Sequence, residues 1–175
     1  MTGLAGYAAG STGVLLVGGA SRRFGSPKAL ARLDGETLAE RAWRLLGEAC
    51  DERIAVGKGV EELPFPVLAD GVAERAAIHG LVAGLRAAPT DLCVVLPVDM
   101  PWMTADALRR LAAACRDAAV PQTGPLPGAY RKRALPALTS GELSIARAIE
   151  DLDVAVVQLD EGLLVNVNTP GDVSV

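Results

Sequence analysis

At 175 residues the chain has the length of one domain and can bury a substantial core. Half of its residues are hydrophobic but only 3% are aromatic, so that core must be built of Leu, Val and Ala. No uninterrupted apolar window reaches the roughly 18 residues of a membrane span, and a net charge of −4 argues against general nucleic-acid binding.

Residues 1–12 are small and Gly/Ala-rich and lack the basic start and apolar centre of a signal peptide, which predicts a flexible leader. A single domain is expected over 13–175. Cys50, Cys93 and Cys115 are far apart and each lies in an apolar context, so they read as buried thiols of a cytoplasmic chain rather than a disulfide framework or a zinc site.

The first strong feature is the run Val14-Leu15-Leu16-Val17, with the length and β-branched content of a buried strand. It stops at Gly18-Gly19, and a loop follows with Ser21, Arg22, Arg23, Gly25 and Lys28. Glycines let backbone N–H groups approach a ligand, successive N–H groups make an anion-binding concavity, and three cations stand close by. The combination suits a polyphosphate. It is neither a P-loop, since Gly25 is followed by Ser26-Pro27-Lys28, nor a dinucleotide fingerprint, since the next strand, Arg53–Val56, runs into Gly57-Lys58-Gly59 with no acid.

Asp34-Gly35 signals a turn, after which Thr37 can cap a helix through Cys50 with Leu38, Ala42, Leu45, Leu46 and Ala49 on one face. Trp43 lies off that stripe and reads as a packing residue. Pro66–Ala69 forms a strand ending at Asp70-Gly71, and a helix is expected over about 79–88. Its Gly80 and Gly84 share a face and allow close approach to a strand or ligand. His79, the one histidine, reads as a structural residue more readily than as an acid or base.

Asp91–Leu96 is the strongest strand pattern, and it leads to Pro97-Val98-Asp99-Met100-Pro101. A carboxylate between two prolines, just past a buried strand, is rigidly placed where ligands bind in open α/β sheets. It could ligate magnesium, which takes one or two carboxylates plus substrate phosphates and water, or simply sit in a turn. Thr104 should cap a helix through Ala118, followed by a short strand at Ala119–Pro121. Gly124–Arg133 combines turn residues with a basic cluster and reads as a loop able to hold a second anion. A helical fragment at Leu135–Thr139, a helix from Ser144 to Leu152, strands at Val154–Leu159 and Leu163–Val167, and a turn at Asn166-Val167-Asn168-Thr169-Pro170 complete the chain.

Three separated stretches resemble one family. Leu16–Lys28 is similar to the signature of nucleotidyltransferases that activate a phosphorylated acceptor with an NTP, and Leu96–Pro101 to their metal-binding turn. Asn166-Val167-Asn168-Thr169-Pro170 looks like the C-terminal motif of the molybdenum cofactor guanylyltransferase (MobA-like) branch. Gly80–Gly84 resembles that branch's G-P-L-A-G segment with Leu81 in place of proline, and Pro125–Arg131 its acceptor-side stretch.

The resemblance implies a Rossmann-like three-layer α/β/α fold of the nucleotidyltransferase type with a mostly parallel sheet, a nucleotide half over about 13–103 and an acceptor half over about 104–175. It implies transfer of GMP from GTP to molybdopterin with release of pyrophosphate, Mg2+ as cofactor, no nucleic-acid or membrane partner, and transient contact with molybdoenzyme-maturation proteins. Residue by residue, it puts Leu16, Val17, Gly18, Gly19 and Gly80 at the nucleotide, Arg22, Arg23 and Lys28 on the triphosphate, Asp70 at a nucleotide contact and Asp99 on the metal. Arg22, Lys28 and Asp99 would be catalytic; Tyr130, Arg131, Asn166 and Asn168 would meet the acceptor. Gly57 stands where the family often has asparagine, which weakens that nucleotide contact. Gly18-Gly19 resembles the guanine-using form, whereas CTP-using relatives tend to carry Ala-Gly. A cytidylyltransferase, a transferase with another phosphorylated acceptor, and a nucleotide-binding homologue without turnover remain as rivals.

Overall fold

The chain is built on a seven-stranded sheet. Its strands are β1 (Ala8–Leu16), β4 (Cys50–Val56), β5 (Val67–Leu68), β6 (Leu92–Pro97), β7 (Ala118–Pro121), β8 (Gly128–Arg131) and β9 (Val154–Val157). β2 (Arg32–Leu33) and β3 (Glu36–Thr37) make a separate hairpin, turned by Asp34 and Gly35 at positive φ. The helices are α1 (Leu38–Ala49), α2 (Ala77–Ala87), α3 (Ala105–Ala114) and the short α4 (Leu135–Leu138) and α5 (Ile145–Ala148). The computed structural model describes residues 8–18, 27–58, 62–72 and 76–173.

Strand order is β5-β4-β1-β6-β8-β7-β9. β4, β1 and β6 run parallel, as do β4 and β5, and β7 and β9. Among the described residues of this seven-stranded sheet, only β8 runs antiparallel to its neighbours. The expected mostly parallel α/β/α architecture is the observed one.

The apolar run of β1 is covered on both faces because successive side chains point opposite ways. Leu15 and Val17 pack on one side with Leu38, Leu45 and Leu46 of α1 and Leu108 and Leu111 of α3. Val14 and Leu16 pack on the other with Ile78, Leu81 and Leu85 of α2 and with Leu138 and Ile145. Glycines set the spacing. A Cβ on Gly84 would stand 2.4 Å from Val14 Cγ1, and one on Gly13 2.8 Å from Leu46 Cβ.

Thr37 caps α1 as its sequence predicts: its hydroxyl accepts from the Glu40 N–H while the Glu40 carboxylate accepts from the Thr37 N–H. The Thr37 hydroxyl also donates to Glu40 Oε2 at 2.7 Å, and this bond, then that from the Thr37 N–H, hold the Glu40 carboxyl below its ordinary pKa. Trp43 is a packing residue as read, stacked on Phe65 at 4.3 Å with the Arg53 guanidinium 4.6 Å from its centroid.

Five expectations need correction. Residues 8–12 are not a flexible leader: β1 begins at Ala8, and Ser11 and Thr12 are fully buried in the sheet between β4 and β6. α1 ends one residue early because Cys50 turns extended and opens β4 without a loop. α3 ends at Ala114, since Ala118 and Ala119 are claimed by pairing to β8 and β9. The stretch read as a basic loop contains β8, an interior strand between β6 and β7; its Gly and Pro flanks concealed three buried residues, Gly128, Ala129 and Tyr130, paired by the sheet on both sides. Leu163–Val167 is not a strand: Glu161–Leu164 is a 3-10 turn whose Gly162 N–H donates to Asp160.

All three cysteines are free and buried. Burial pushes the thiols of Cys50 and Cys115 up to about 11 and that of Cys93 up to about 12, so they are neutral at pH 8. No helix among the described residues is long and apolar enough to cross a membrane.

Replacing Gly84 with Ala should lower unfolding free energy by about 1–3 kcal/mol in chemical denaturation, because the new methyl overlaps β-branched Val14 in a packed core; an unchanged midpoint would contradict this helix–strand contact. The native thiols should be silent to Ellman's reagent at pH 8 and all three should react in denaturant, since the thiolate is the nucleophile.

Candidate active site

Parallel pairing brings the carboxyl ends of β1, β4 and β6 to one edge of the sheet. Hydrogen bonds continue past the strands: Val17 N–H donates to Val56 O at 2.9 Å, Val98 N–H to Leu16 O at 3.1 Å, and Gly57 N–H to Leu68 O at 2.9 Å. Above this edge lies a cleft of about 320 Å³. Leu16 and Gly18 line it from β1, Gly57 and Lys58 from β4, Asp70 after β5, Ala76 and Gly80 from the start of α2, and Asp99 after β6.

Lys28, at the start of the 3-10 turn Lys28–Leu30, reaches the same cleft, and its Nζ lies 3.5 Å from Asp99 Oδ2. Both side chains keep part of their surface open, 17% for Lys28 and 27% for Asp99. The pair can therefore rearrange around an incoming anion while being held close. Asp99 itself is fixed through its main chain, where its carbonyl accepts from the Val167 N–H at 2.8 Å. Val167 is fully buried, while the adjacent Asn166 and Asn168 are exposed beside the Asp99 turn.

The cleft thus gathers Leu16, Gly18, Lys28, Asp70, Gly80 and Asp99, six of the residues singled out in the sequence. At Gly18 no described residue stands within 4 Å of where a Cβ would be. Gly80 is needed for packing too, since a Cβ there would sit 3.1 Å from Leu16 Cδ2. Gly19, Arg22 and Arg23 lie outside the described residues.

Three assignments do not fit. Val17 is fully buried against the α1 layer and its N–H is spent on Val56, so its side chain does not face the cleft. Tyr130 is fully buried; its hydroxyl donates to Pro125 O and burial pushes its pKa up, so it offers no face to an acceptor. Arg131 pairs with Asp91 at 2.9 Å at the amino end of β6, the opposite edge of the sheet. Its basic neighbours are also structural: Lys132 Nζ donates to Ala88 O and Arg133 pairs with Asp117. The cluster looked like an anion seat because sequence does not show that β8 runs backwards.

Sequence reasoning missed Lys58 and Leu126, which both line the cleft. Lys58 follows a predicted strand between two glycines, which is a readable signal. Gly57 has a steric reason: a Cβ there would stand 3.0 Å from Val17 O and 3.2 Å from Val17 Cβ. His79 lines a separate hollow of about 260 Å³ beyond Asp70 and does not line the cleft. Among the described residues no three or more His, Cys, Asp or Glu side chains cluster as a metal cage. Two carboxylates, Asp99 and Asp70, do line the cleft, and this sparse oxygen set suits a magnesium ion that completes its shell with phosphates and water.

Comparison with known proteins agrees with this geometry. Residues 13–156 match the model of the MobA-like NTP transferase domain. The chain is 32% identical over 188 residues to the "Probable molybdenum cofactor guanylyltransferase" of Chloroflexus aggregans, covering 92% of this chain and 90% of that protein. It is 40% identical over 113 residues to the molybdenum cofactor guanylyltransferase of Burkholderia ambifaria, covering 59% and 55% respectively. The crystal structure of molybdopterin-guanine dinucleotide biosynthesis protein A from Archaeoglobus fulgidus superposes with a TM-score of 0.77 at 24% identity, over 93% of this chain and 95% of that one, which shows the fold. The matched residues run from β1 into β9 and include Lys28 and Asp99, and on that ground the chain belongs to the MobA-like NTP transferase family.

Proposed function

We propose that the chain is a magnesium-dependent guanylyltransferase that moves GMP from GTP to the terminal phosphate of molybdopterin and releases pyrophosphate. The observation that carries this reading is the Lys28–Asp99 pair, 3.5 Å apart at the carboxyl edge of a parallel sheet in a chain of this family. The relatives from Chloroflexus and Burkholderia are named as molybdenum cofactor guanylyltransferases, which supports the choice of donor and acceptor.

In this reading an acceptor phosphate oxygen attacks the α-phosphorus of GTP. The new P–O bond forms as the bond to the β-phosphate bridging oxygen breaks, and pyrophosphate carries away the electron pair. A phosphate monoester has a second pKa of about 6 and is largely ionised at neutral pH, so no general base is needed. The absence of His79 from the cleft lining is consistent with that. What the protein supplies is alignment and charge neutralisation. Lys28 brings a point charge to the phosphates, with Arg22 and Arg23 of the same loop assigned to the triphosphate. Asp99, with Asp70 nearby in the cleft, would hold magnesium, which when bound neutralises charge on the phosphates and on the leaving pyrophosphate. Gly18 and Gly80 leave room for base and ribose along the end of β1. Asn166 and Asn168, exposed beside the Asp99 turn, remain as acceptor contacts.

With molybdopterin and Mg2+, pyrophosphate release should be supported by GTP and be at least about 100-fold poorer with CTP; equal use of CTP would overturn the guanine assignment. Chelation should abolish turnover and Mg2+ should restore it. Asp99→Ala and Lys28→Ala should each lower kcat/KM by about 100- to 1,000-fold with unchanged circular dichroism, since each removes preorganised charge from the transition state. A parental rate in Asp99→Ala would remove Asp99 from the metal role.

A further inference from the structure

The C-terminal turn contains a carboxylate with no assigned part in the reaction. Asp172 lies in the 3-10 turn Pro170–Val173. One of its oxygens, Oδ2, accepts from both the Asn168 and the Thr169 N–H, at 2.8 Å each, and the Asp172 N–H donates back to Thr169 O at 3.1 Å. The next residue inward, Val167, is fully buried and donates to Asp99 O. A continuous path of short bonds therefore runs from Asp172 through the turn to the main chain of Asp99, whose carboxylate faces Lys28. The Asp172 carboxyl is held below its ordinary pKa first by the Asn168 N–H, then by the Thr169 N–H, and the Lys28 cation adds to this. Its charge is thus within electrostatic reach of the same lysine.

We infer that Asp172 is a positioning residue for the transfer centre: it closes the 166–169 turn so that Val167 pins the Asp99 main chain and Asn166 and Asn168 stay beside it. The inference rests on the nucleotidyl-transfer reading for its kinetic consequence, but its structural consequence stands alone. Because both N–H groups converge on one oxygen, an amide oxygen in the same place can serve them. The acceptor atom is what the turn requires.

The test compares Asp172→Ala and Asp172→Asn with the parent in the full chain. By amide hydrogen exchange, Val167 should exchange at least about tenfold faster in Asp172→Ala, with Asp172→Asn close to the parent. In turnover, Asp172→Ala should lose about tenfold in kcat while its KM for GTP stays within about threefold, and Asp172→Asn should recover to within about threefold of the parent kcat. A general loss of folding would not produce that split or that rescue. Parental Val167 exchange in Asp172→Ala, parental kcat in Asp172→Ala despite faster exchange, or an Asp172→Asn variant as impaired as Asp172→Ala would each overturn the inference. If Asp172→Ala does not fold, Asp172→Asn decides by the same two readouts. A parent without turnover on any nucleotide would overturn the proposed function, and the exchange rates would then decide the role of Asp172 by themselves.

Discussion

The cleft depends on β1 being paired in parallel on both of its edges. Leu15 and Leu16 are in register with Ala55 and Val56 on one side and with Leu96 and Pro97 on the other. That double register delivers Gly18, Gly57 and Asp99 to one edge of the sheet. It also buries the strand from Ser11 to its end, so the helices must come close on both faces. Gly13 and Gly84 permit this by leaving no Cβ against Leu46 and Val14. Core packing and site geometry are the same constraint seen from two ends of one strand.

Three separate parts of the chain meet at Asp99. The 3-10 turn at Lys28–Leu30 brings the ammonium, the turn after β6 brings the carboxylate, and the C-terminal segment brings the Val167 N–H. Each alone is an ordinary element, and their convergence turns a carboxylate in a proline-flanked turn into a group of fixed position. An ionised phosphate acceptor asks little proton chemistry of the protein, so fixed position is the contribution that matters most.

The part of the chain before α3 was largely legible in the sequence because its signals are local. A β-branched run, glycines at its end and a carboxylate after the next strong strand are all read from neighbours in the chain. The capping box at Thr37 and Glu40 is equally local. The part from α3 onward was not legible in the same way. β8 carries the Gly and Pro content of a loop, and only its partners β6 and β7 make it a strand. Tyr130 and Arg131 therefore looked available, when one is sealed in the core and the other is tied to Asp91 at the wrong edge. Arg131 and Asp91 are 40 positions apart in the chain, and no periodicity reports such a pairing. Leu163–Val167 failed for the converse reason: its pattern suits a strand but no partner edge claims it.

The reversal of β8 has a geometric result. Two antiparallel steps cancel, so β7 and β9 point the same way as β6 and their carboxyl ends open on the edge that holds the cleft. At that edge β8 contributes its amino end and the preceding loop, which includes Leu126 of the cleft wall. Two sets of parallel strand ends are thus separated by two inter-strand spacings, about 10 Å at 4.7–4.9 Å each. A single reversed strand works as a spacer between them, so both sets of strand ends open above one continuous sheet.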